Sequence, residues 1–274
     1  MSLLMTYERL IYDLKSLGSC LVALSGGLDS TLLLKAAKDA LGDKVTAITV
    51  STPYVPSWEI SEAVEIAAAL EIKHRIVRLP VPDAVSFNPS DRCYHCKKYL
   101  FEQLKREAER ENIPHVLEGT NADDLKDYRP GFLALKELDI VSPLLWQGLT
   151  KQDIRDLSRH LGLPNWQKPP CACLLSRIPY DREITLQELA RIEMAEKYLM
   201  DNGFMAVRVR SDGPLARIEV GREERKIFFD EDRLDTIARE LKAMGYTYVA
   251  MELEGYQIGS MNRTLTVGNI QEGR

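Results

Sequence analysis

The sequence lacks the features that would mark it as a membrane, secreted or fibrous protein. None of its apolar runs reaches the roughly eighteen uncharged residues that a bilayer-spanning helix needs. The start of the chain carries Glu8, Arg9, Asp13 and Lys15 within an apolar pattern, which indicates an amphipathic helix rather than a signal peptide. The sequence shows no internal repeat at solenoid period and no low-complexity majority, and its composition is in the ordinary globular range. We therefore expect a folded protein of the cytoplasm without a membrane partner.

An excess of basic residues is also missing. The chain has 36 Lys and Arg against 41 Asp and Glu, which leaves a formal net charge of -5. Sequence-independent nucleic-acid binding draws its affinity from Lys and Arg that neutralise phosphates, so we expect no nucleic-acid partner. The 4 histidines show no H-x-x-x-H or similar ligand spacing, and we assign them to no metal site.

Cysteine is scarce as well, with 5 in 274 residues. A disulfide framework is not expected in a reducing compartment, and Cys20, which leads into a predicted strand, is interpreted as a small buried apolar residue. The other cysteines form two close pairs, Cys93-x-x-Cys96 and Cys171-x-Cys173. Two prolines directly before the second pair stiffen the backbone and predict a loop there.

The first half of the chain alternates short apolar runs with helical patterns, which is typical of parallel strands joined by crossover helices. Strands are predicted at 20–25, 45–50, 74–79 and 115–119, with a fainter fifth at 139–142, and helices at 29–41, 57–71, 93–112 and 150–161. The expected fold class is α/β, with a doubly wound, mostly parallel sheet over residues 1–165. Ligands of such sheets bind beyond the carboxyl ends of the strands.

The pattern changes beyond residue 165. Residues 166–184 carry the second cysteine pair and have the composition of a linker or an active-site loop. A helix then begins with Thr185 and Glu188 at capping-box spacing, ends at Gly203, and is followed by short alternating strands and one more helix. We therefore expect a smaller α+β domain over residues 185–274 that serves substrate binding or oligomerisation.

The stretch LVALSGGLDSTLLLKAA places a strand, a glycine turn and a helix start in succession. Two glycines allow consecutive N–H groups to converge on an anion, and the helix N-terminus adds partial positive charge. The G-x-x-x-x-G-K-[ST] pattern is absent, so no loop lysine is offered, while Asp29 suits a metal ion that joins a carboxylate to phosphates. The residues predicted to hold a phosphate group are Ser25, Gly26, Gly27, Asp29, Ser30 and Thr31.

The string GTNADD follows another predicted strand, so its polar side chains should lie at the same sheet edge. We expect Thr120, Asn121 and Arg129 to bind the nucleotide. Asp123 or Asp124 is expected to share Mg²⁺ with the phosphate loop, because Mg²⁺ takes one or two carboxylates plus phosphate oxygens. An ordinary Asn/Asp turn is the alternative interpretation.

Ser25-Gly26-Gly27-Leu28-Asp29-Ser30 resembles the PP-loop of the ATP pyrophosphatase superfamily. This resemblance implies that ATP is cleaved between its α- and β-phosphates, that pyrophosphate rests in the loop, and that a substrate oxygen becomes adenylated. Asp29 would then act in catalysis.

Three further strings, DRCYHCKKYLF, EGTNADDLKDYRPG and CLLSRIPY, are together similar to LarE, a family of ATP-dependent sulfur transferases in nickel-pincer nucleotide biosynthesis. The similarity runs through nearly the whole chain. It implies that the carboxylates of pyridinium-3,5-biscarboxylic acid mononucleotide, a small nucleotide, are adenylated and converted to thiocarboxylates. It also implies a homo-oligomer, and that Arg208 and Arg210, which share one strand face, hold the substrate phosphate through their guanidinium forks.

The resemblance leaves the sulfur source open. In one form of the family the cysteine matched by Cys173 attacks the acyl adenylate, surrenders its sulfur and ends as dehydroalanine. In another, a [4Fe-4S] cluster holds a sulfide on its open iron, and three thiolates from Cys93, Cys96, Cys171 and Cys173 would ligate it. Four thiolates would instead suit a closed structural zinc site, and inert thiols are the remaining interpretation. Cys171 and Cys173 are the predicted catalytic cysteines.

Three other functions share part of this pattern. A tRNA thiolation enzyme of the same superfamily would use the same adenylation step, but the acidic composition and the absence of a recognisable RNA-binding domain oppose it. An amidating ligase would have no use for two cysteine pairs. A nucleotide-binding protein with structural zinc would bind ATP without releasing pyrophosphate.

Overall fold

The computed structural model describes residues 2–126, 130–169, 171–257 and 261; Arg129, one of the predicted nucleotide ligands, lies outside them. The chain divides into two compact units, Met1–Val85 with Asp91–Cys171, and Ser86–Ser90 with Ala172–Arg274. The division at Cys171 falls within the predicted loop 166–184. No pattern in the sequence indicates that the short segment 86–90 belongs to the second unit.

The first unit alternates helices and strands along a parallel sheet. In chain order its elements are α1 (Leu3–Lys15), β1 (Cys20–Ala23), α2 (Leu28–Leu41), β2 (Val45–Ser51), α3 (Ser57–Ala69), β3 (Lys73–Arg78), α4 (Arg92–Arg110), β4 (Val116–Leu117), α5 (Gly131–Glu137), α6 (Pro143–Trp146) and α7 (Lys151–His160). The strands are ordered β3-β2-β1-β4, and every neighbouring pair is parallel. The predicted α/β fold class is confirmed.

Both faces of this sheet are covered because successive strand residues point to opposite sides. Cys20 and Val22 of β1 belong to one apolar cluster with buried residues of α1, α2, α3 and α7. Leu21 belongs to another, with Phe101 of α4 and Leu135 of α5. The helices therefore lie on both faces, as a doubly wound sheet requires. Burial raises the pKa of the Cys20 thiol to about 12, in keeping with its predicted role as a core residue.

The fourth predicted strand is much shorter than its apolar run, and the fifth is reduced to a single bridge. β4 contains only Val116 and Leu117. Leu117 forms an isolated parallel bridge with Val141 in the predicted 139–142 strand. Pro143, which has no N–H to donate to a sheet, starts α6 two residues later and ends the pairing.

α4 lies over one face of the sheet and carries the first cysteine pair in its opening turns. It is the longest helix that the structure describes, at 19 residues, and buries Phe101, Leu104 and Ala108 at helical spacing. Cys93 is exposed and Cys96 half-buried. Within the described residues, no helix is long and apolar enough to cross a membrane.

The second unit is a small α+β structure, which confirms the predicted class of this region. Its elements are α8 (Leu186–Asp201), β5 (Arg208–Asp212), β6 (Leu215–Glu219), α9 (Glu231–Ala243) and β7 (Tyr248–Met251). β5 pairs with β6 antiparallel through a hairpin, and β6 pairs with β7 parallel. The core contains Leu199 of α8, Val209 and Ile218 of the sheet, and Leu241 of α9.

Asn88 fastens the short segment 86–90 into this second unit. Its side-chain amide is fully buried and donates to the carbonyl oxygens of Leu175, Ile178 and Pro179 at 3.2, 2.8 and 2.9 Å. The main-chain carbonyl of Asn88 accepts the N–H of Asp181 at 3.2 Å. One residue therefore organises the backbone that follows the second cysteine pair.

Asn88→Ala should lower the free energy of unfolding of the second unit by about 2–3 kcal/mol, because three buried carbonyl oxygens lose their donor. The measurement is urea unfolding monitored by hydrogen exchange in α8. Asn112→Ala, followed by hydrogen exchange in α4 of its own unit, is the matched control, since Asn112 has a similar positive φ of 56° but an exposed side chain. Equal losses in the two variants would show that only backbone strain is involved.

Candidate functional site

The glycine turn between β1 and α2 forms the floor of the candidate site. Gly26 has φ +73°, and a Cβ there would stand 2.7 Å from the backbone oxygen of Glu59 in α3, so only glycine fits. The N–H of Gly27 donates to Ser25 Oγ at 3.3 Å, and the hydroxyls of Ser25 and Ser30 are 3.0 Å apart. The turn thus presents hydroxyl and N–H donors at the start of a helix, as an anion site requires.

A second close approach brings the end of β4 against the same helix start. A Cβ on Gly119 would lie 3.0 Å from the Ser30 nitrogen and 3.1 Å from Asp29. The neighbouring Glu118 is buried and accepts hydrogen bonds from Thr120 Oγ1 at 2.8 Å and Ser142 Oγ at 2.5 Å. The two predicted strand ends therefore meet, as expected for adjacent parallel strands.

Lys151, in the first turn of α7, contacts a carboxylate of the phosphate loop and a carboxylate that follows β4. Its ammonium lies 2.6 Å from Asp29 Oδ2, and its backbone N–H donates to Asp123 Oδ2 at 2.8 Å. The phosphate loop itself contains no lysine, and α7 supplies one from a distant part of the chain. We did not predict this residue, although Thr150 and Asp153, which form a capping box, mark the helix start that places it.

Several predicted ligands of this edge are occupied by local hydrogen bonds. Asn121 is buried, and its Oδ1 accepts the N–H groups of Asp123 and Asp124 at 2.9 and 3.3 Å. Asp124 Oδ2 in turn accepts the Asn121 N–H at 3.1 Å. Thr31 is fully buried and donates to the Gly27 carbonyl at 2.8 Å. These residues shape the edge, and their predicted contacts with nucleotide or metal stay predictions.

The residues suit Mg²⁺ by the chemistry of the donor set. Mg²⁺ binds through one or two carboxylates together with phosphate oxygens and water. Asp29 and Asp124 both line the cavity at the phosphate loop, so two carboxylates are present on its wall. They would hold the ion, and the ion would neutralise phosphate charge there.

A cavity of about 330 Å³ opens from the phosphate loop. Its apolar wall includes Ile48 and Val50 of β2, Ile60 of α3 and Phe101 of α4. Its polar end includes Ser25, Gly27, Asp29, Ser30, Lys97, Glu118, Thr120 and Asp124. An apolar slot continuous with an anion site has the shape and polarity that a nucleotide requires.

The four paired cysteines are distributed over both units. Cys93 and Cys96 lie in the first unit with Cys171, while Cys173 belongs to the second. Cys96 Sγ is 3.2 Å from the hydroxyl of the buried Tyr54. The part of the chain that the structure describes contains no group of three or more His, Cys, Asp or Glu side chains gathered to hold a metal ion.

In the second unit the Cys173 backbone is held by a buried arginine. Arg177 donates to the carbonyl oxygens of Ala172 and Cys173 at 2.7 and 3.1 Å. Its other nitrogens form a bidentate pair with Glu196 at 2.8 and 2.9 Å, and the side chains are 0% and 2% exposed. Glu196 also accepts the Val209 N–H at 2.8 Å. The loop carrying Cys173 is therefore tied to α8 and β5.

Arg208 and Arg210, the predicted phosphate ligands, lie on β5 of the second unit. Arg208 is buried, stacks 5.0 Å from the Tyr256 ring centroid and donates to the Val207 carbonyl. Arg210 forms an ion pair with Glu219 at 2.7 Å and donates to the Ser176 carbonyl at 2.5 Å. Both have protein partners, and their binding of a substrate phosphate stays a prediction.

A parallel sheet with a serine- and glycine-rich anion loop after its first strand, and carboxylates at the adjacent strand end, defines a PP-loop nucleotide-binding protein. A family profile described as "Queuosine biosynthesis protein QueC" matches residues 19–97, which contain this loop and the start of α4.

Relatives that align with nearly the whole chain identify the family within the PP-loop proteins. The chain is 36% identical over 94% of its length to pyridinium-3,5-bisthiocarboxylic acid mononucleotide synthase of Lactiplantibacillus plantarum, covering 94% of that protein. It is 42% identical to an uncharacterised protein of Synechocystis sp., with 94% and 97% of the two chains covered, and 34% identical to one of Methanocaldococcus jannaschii, with 86% and 90% covered. The chain therefore belongs to the family of the L. plantarum synthase, the LarE family that the sequence motifs indicated.

Lys151→Met should weaken MgATP binding about tenfold or more, because a charge-assisted contact at the phosphate loop is lost. The dissociation constant from calorimetry is the measurement. Lys35→Met, which removes a lysine paired with Asp39 at 2.5 Å elsewhere on the surface, serves as the control. Unchanged binding in Lys151→Met would mean that this lysine only orders Asp29.

Arg177→Met should cost about 3–5 kcal/mol of stability, because Glu196 is left as an unpaired buried charge. The double variant Arg177→Met/Glu196→Met should recover most of that loss, since no charge then remains buried. Chemical unfolding of the four proteins of this cycle gives the coupling energy. Additive losses would contradict the pairing.

Proposed function

We propose that this protein transfers sulfur, at the expense of ATP, to the carboxylates of pyridinium-3,5-biscarboxylic acid mononucleotide. The product would be the bisthiocarboxylic acid mononucleotide for which the L. plantarum relative is named. The observation that carries the proposal is the phosphate loop at the sheet edge, with its adjoining nucleotide-sized cavity, in a chain related to that synthase over 94% of its length.

The first step is adenylation of a substrate carboxylate. A carboxylate oxygen attacks the α-phosphorus of ATP, the bond to the β-phosphate breaks, and pyrophosphate departs. The Gly27 N–H and the serine hydroxyls of the loop supply donors for pyrophosphate. Lys151 supplies a positive charge, and Asp29 with Asp123 or Asp124 would hold Mg²⁺. The carboxylate oxygen, a poor leaving group by itself, is now bonded to AMP and can leave with it in the next step.

The second step uses Cys173 as the sulfur donor. Its thiolate attacks the acyl carbon, the bond from that carbon to the AMP oxygen breaks, and AMP leaves with the electron pair. The Cα proton of Cys173 then passes to solvent and the Cβ–S bond breaks, with its electrons staying on sulfur. A thiocarboxylate is released and Cys173 becomes dehydroalanine. Because the product holds two sulfurs, two chains would be consumed for each product.

The predicted [4Fe-4S] cluster does not enter these steps. An open-site cluster would need three thiolate ligands and a sulfide on its open iron. Cys93 and Cys96 lie one helical turn apart in α4 and would provide two ligands, with Cys171 or Cys173 as the third. The cluster and a zinc site therefore remain alternatives that the experiment below distinguishes.

The substrate would be recognised by its phosphate and its pyridinium ring. The arginine pair of β5 is the proposed phosphate site, for which guanidinium forks are suited. We propose a homo-oligomer in the cytoplasm as the working form. A tRNA thiolation activity is disfavoured by the net charge of -5, and it predicts sulfur in tRNA instead of in the small nucleotide.

The test is a single turnover with protein purified and assayed without oxygen. With ATP, Mg²⁺ and the biscarboxylic acid nucleotide, pyrophosphate should appear, and the protein should lose the mass of one H₂S at Cys173. Cys173→Ala should still release pyrophosphate but form no thiocarboxylate. Cys171→Ala, at the other predicted catalytic cysteine, should still form thiocarboxylate, because the proposed steps use only the sulfur of Cys173.

Reconstitution of the protein with iron and sulfide tests the alternatives to Cys173 as the sulfur donor. A brown protein with about four irons, lost in three of the four single Cys→Ala variants, would move the sulfur source to a cluster. A colourless protein that binds zinc through all four cysteines and releases no pyrophosphate would overturn the proposed function.

A further inference from the structure

The carbonyl oxygen of Gly26 is held from outside the phosphate loop by the segment that follows α7. Asn165 Nδ2 and Lys168 Nζ each donate to it at 3.2 Å. The Asn165 amide also donates to Thr31 Oγ1 at 2.9 Å, and the Thr31 hydroxyl donates to the Gly27 carbonyl. Two consecutive carbonyl groups of the turn are thereby restrained by one polar network.

Holding this carbonyl fixes the direction of the next N–H. The Gly26 C=O and the Gly27 N–H belong to one planar peptide, and in a trans peptide they point in opposite directions. With the oxygen held outward, the N–H faces into the loop, where it meets Ser25 Oγ at 3.3 Å. A rotated peptide would present its oxygen to the phosphate, and two adjacent glycines oppose such a rotation only weakly.

Lys168 is well suited to hold this position. Its side chain is 15% exposed and contacts Glu59 Oε2 at 2.7 Å as well as Glu62. Burial opposes the ammonium charge, but Glu59 and Glu62 outweigh that effect, so the pKa of Lys168 is raised above its ordinary value. The group therefore stays a charged donor throughout the neutral range.

α7 holds the segment in place from its other side. Arg155 of α7 donates to the carbonyl oxygens of Trp166 at 2.5 Å and Lys168 at 3.5 Å. The Lys168 N–H donates to the Asn165 carbonyl at 3.0 Å, which closes a turn between the two bracing residues. We call Asn165 and Lys168, which both contact the Gly26 carbonyl, the brace. Its backbone is held by a residue of the regular helix α7.

We propose that Asn165 and Lys168 are positioning residues that hold the Gly26–Gly27 peptide with its N–H toward pyrophosphate. Neither residue donates to the phosphate; each acts through the glycine carbonyl. The assignment rests on the proposed function, because pyrophosphate is the anion that the peptide serves. Lys168 also precedes Cys171 by three residues, so the same brace anchors the start of the cysteine-bearing loop.

The test is calorimetric titration of the full chain with inorganic pyrophosphate and Mg²⁺, beside titration with adenosine. Lys168→Met should bind pyrophosphate about tenfold more weakly, since a peptide donor to a charged acceptor is lost, and Asn165→Ala several-fold more weakly. Adenosine binding should stay within twofold of wild type, because the apolar cavity wall is untouched. Lys168→Arg, which keeps charge and donors, should restore most of the pyrophosphate affinity.

The controls separate positioning from charge and from folding. Lys35→Met removes one positive charge on α2 away from the turn and should leave both affinities unchanged. Asn165→Ala changes no charge, so its loss cannot come from electrostatic attraction. If Lys168→Met unfolds because Glu59 and Glu62 lose their partner, Asn165→Ala decides the outcome.

If Asn165→Ala binds pyrophosphate with wild-type affinity, the proposed positioning role of Asn165 and Lys168 is wrong, while the proposed function is unaffected. Equal losses for pyrophosphate and adenosine would likewise overturn it, since they would indicate a general structural defect. A wild-type protein that binds neither ligand would refute the proposed function and the brace with it.

Discussion

The packing of Gly26 against the first turn of α3 is the contact on which the candidate site depends. A Cβ at this position would stand 2.7 Å from a main-chain oxygen that cannot move without shifting α3, so the chain passes here only as glycine. This close approach directs the chain from β1 into α2 and leaves the helix start open. The donors of the turn and the partial charge of the helix then face the same point.

The strand order determines which polar side chains lie next to the phosphate loop. In the order β3-β2-β1-β4 the chain runs from β1 toward β2 and β3 on one side, while β4 lies on the other side of β1, so a crevice opens between β1 and β4. Gly119 follows β4 so close to α2 that a Cβ on it would lie 3.0 Å from the Ser30 nitrogen, and Glu118 is its neighbour in the chain. α7 then adds Lys151, so carboxylates and a cation converge where phosphate charge must be neutralised. The site is built from the strand ends, while the sheet interior remains apolar.

The sequence predicted most of the fold because the first unit has strong periodicity and clear helix boundaries. The phosphate loop was also predictable, since glycines and hydroxyl residues between a strand and a helix have few other uses. The shortening of β4 and the single bridge at Val141 were not, because an apolar run does not show where its backbone finds a partner. Lys151, Asn165 and Asn88 escaped prediction because each acts through a neighbour distant in sequence, and a lone polar residue carries no periodic signal.

The cysteines illustrate the same limit. Their spacing identified two pairs, yet the structure assigns Cys173 to a unit different from that of the other three, and its backbone is held by the buried Arg177–Glu196 pair. Two charges fully removed from water cost several kcal/mol unless they are well paired, and the bidentate contact between Arg177 and Glu196 meets that condition beside Cys173.

The central claim is that a substrate carboxylate is activated as its adenylate. The most direct test traces the oxygen atoms of that carboxylate into the products. Substrate whose carboxylates carry ¹⁸O is incubated with ATP and the protein, and the released AMP and pyrophosphate are analysed by mass spectrometry. Adenylation followed by attack of sulfur predicts one ¹⁸O in each AMP formed and none in pyrophosphate. Unlabelled AMP, or label in pyrophosphate or phosphate, would contradict the account.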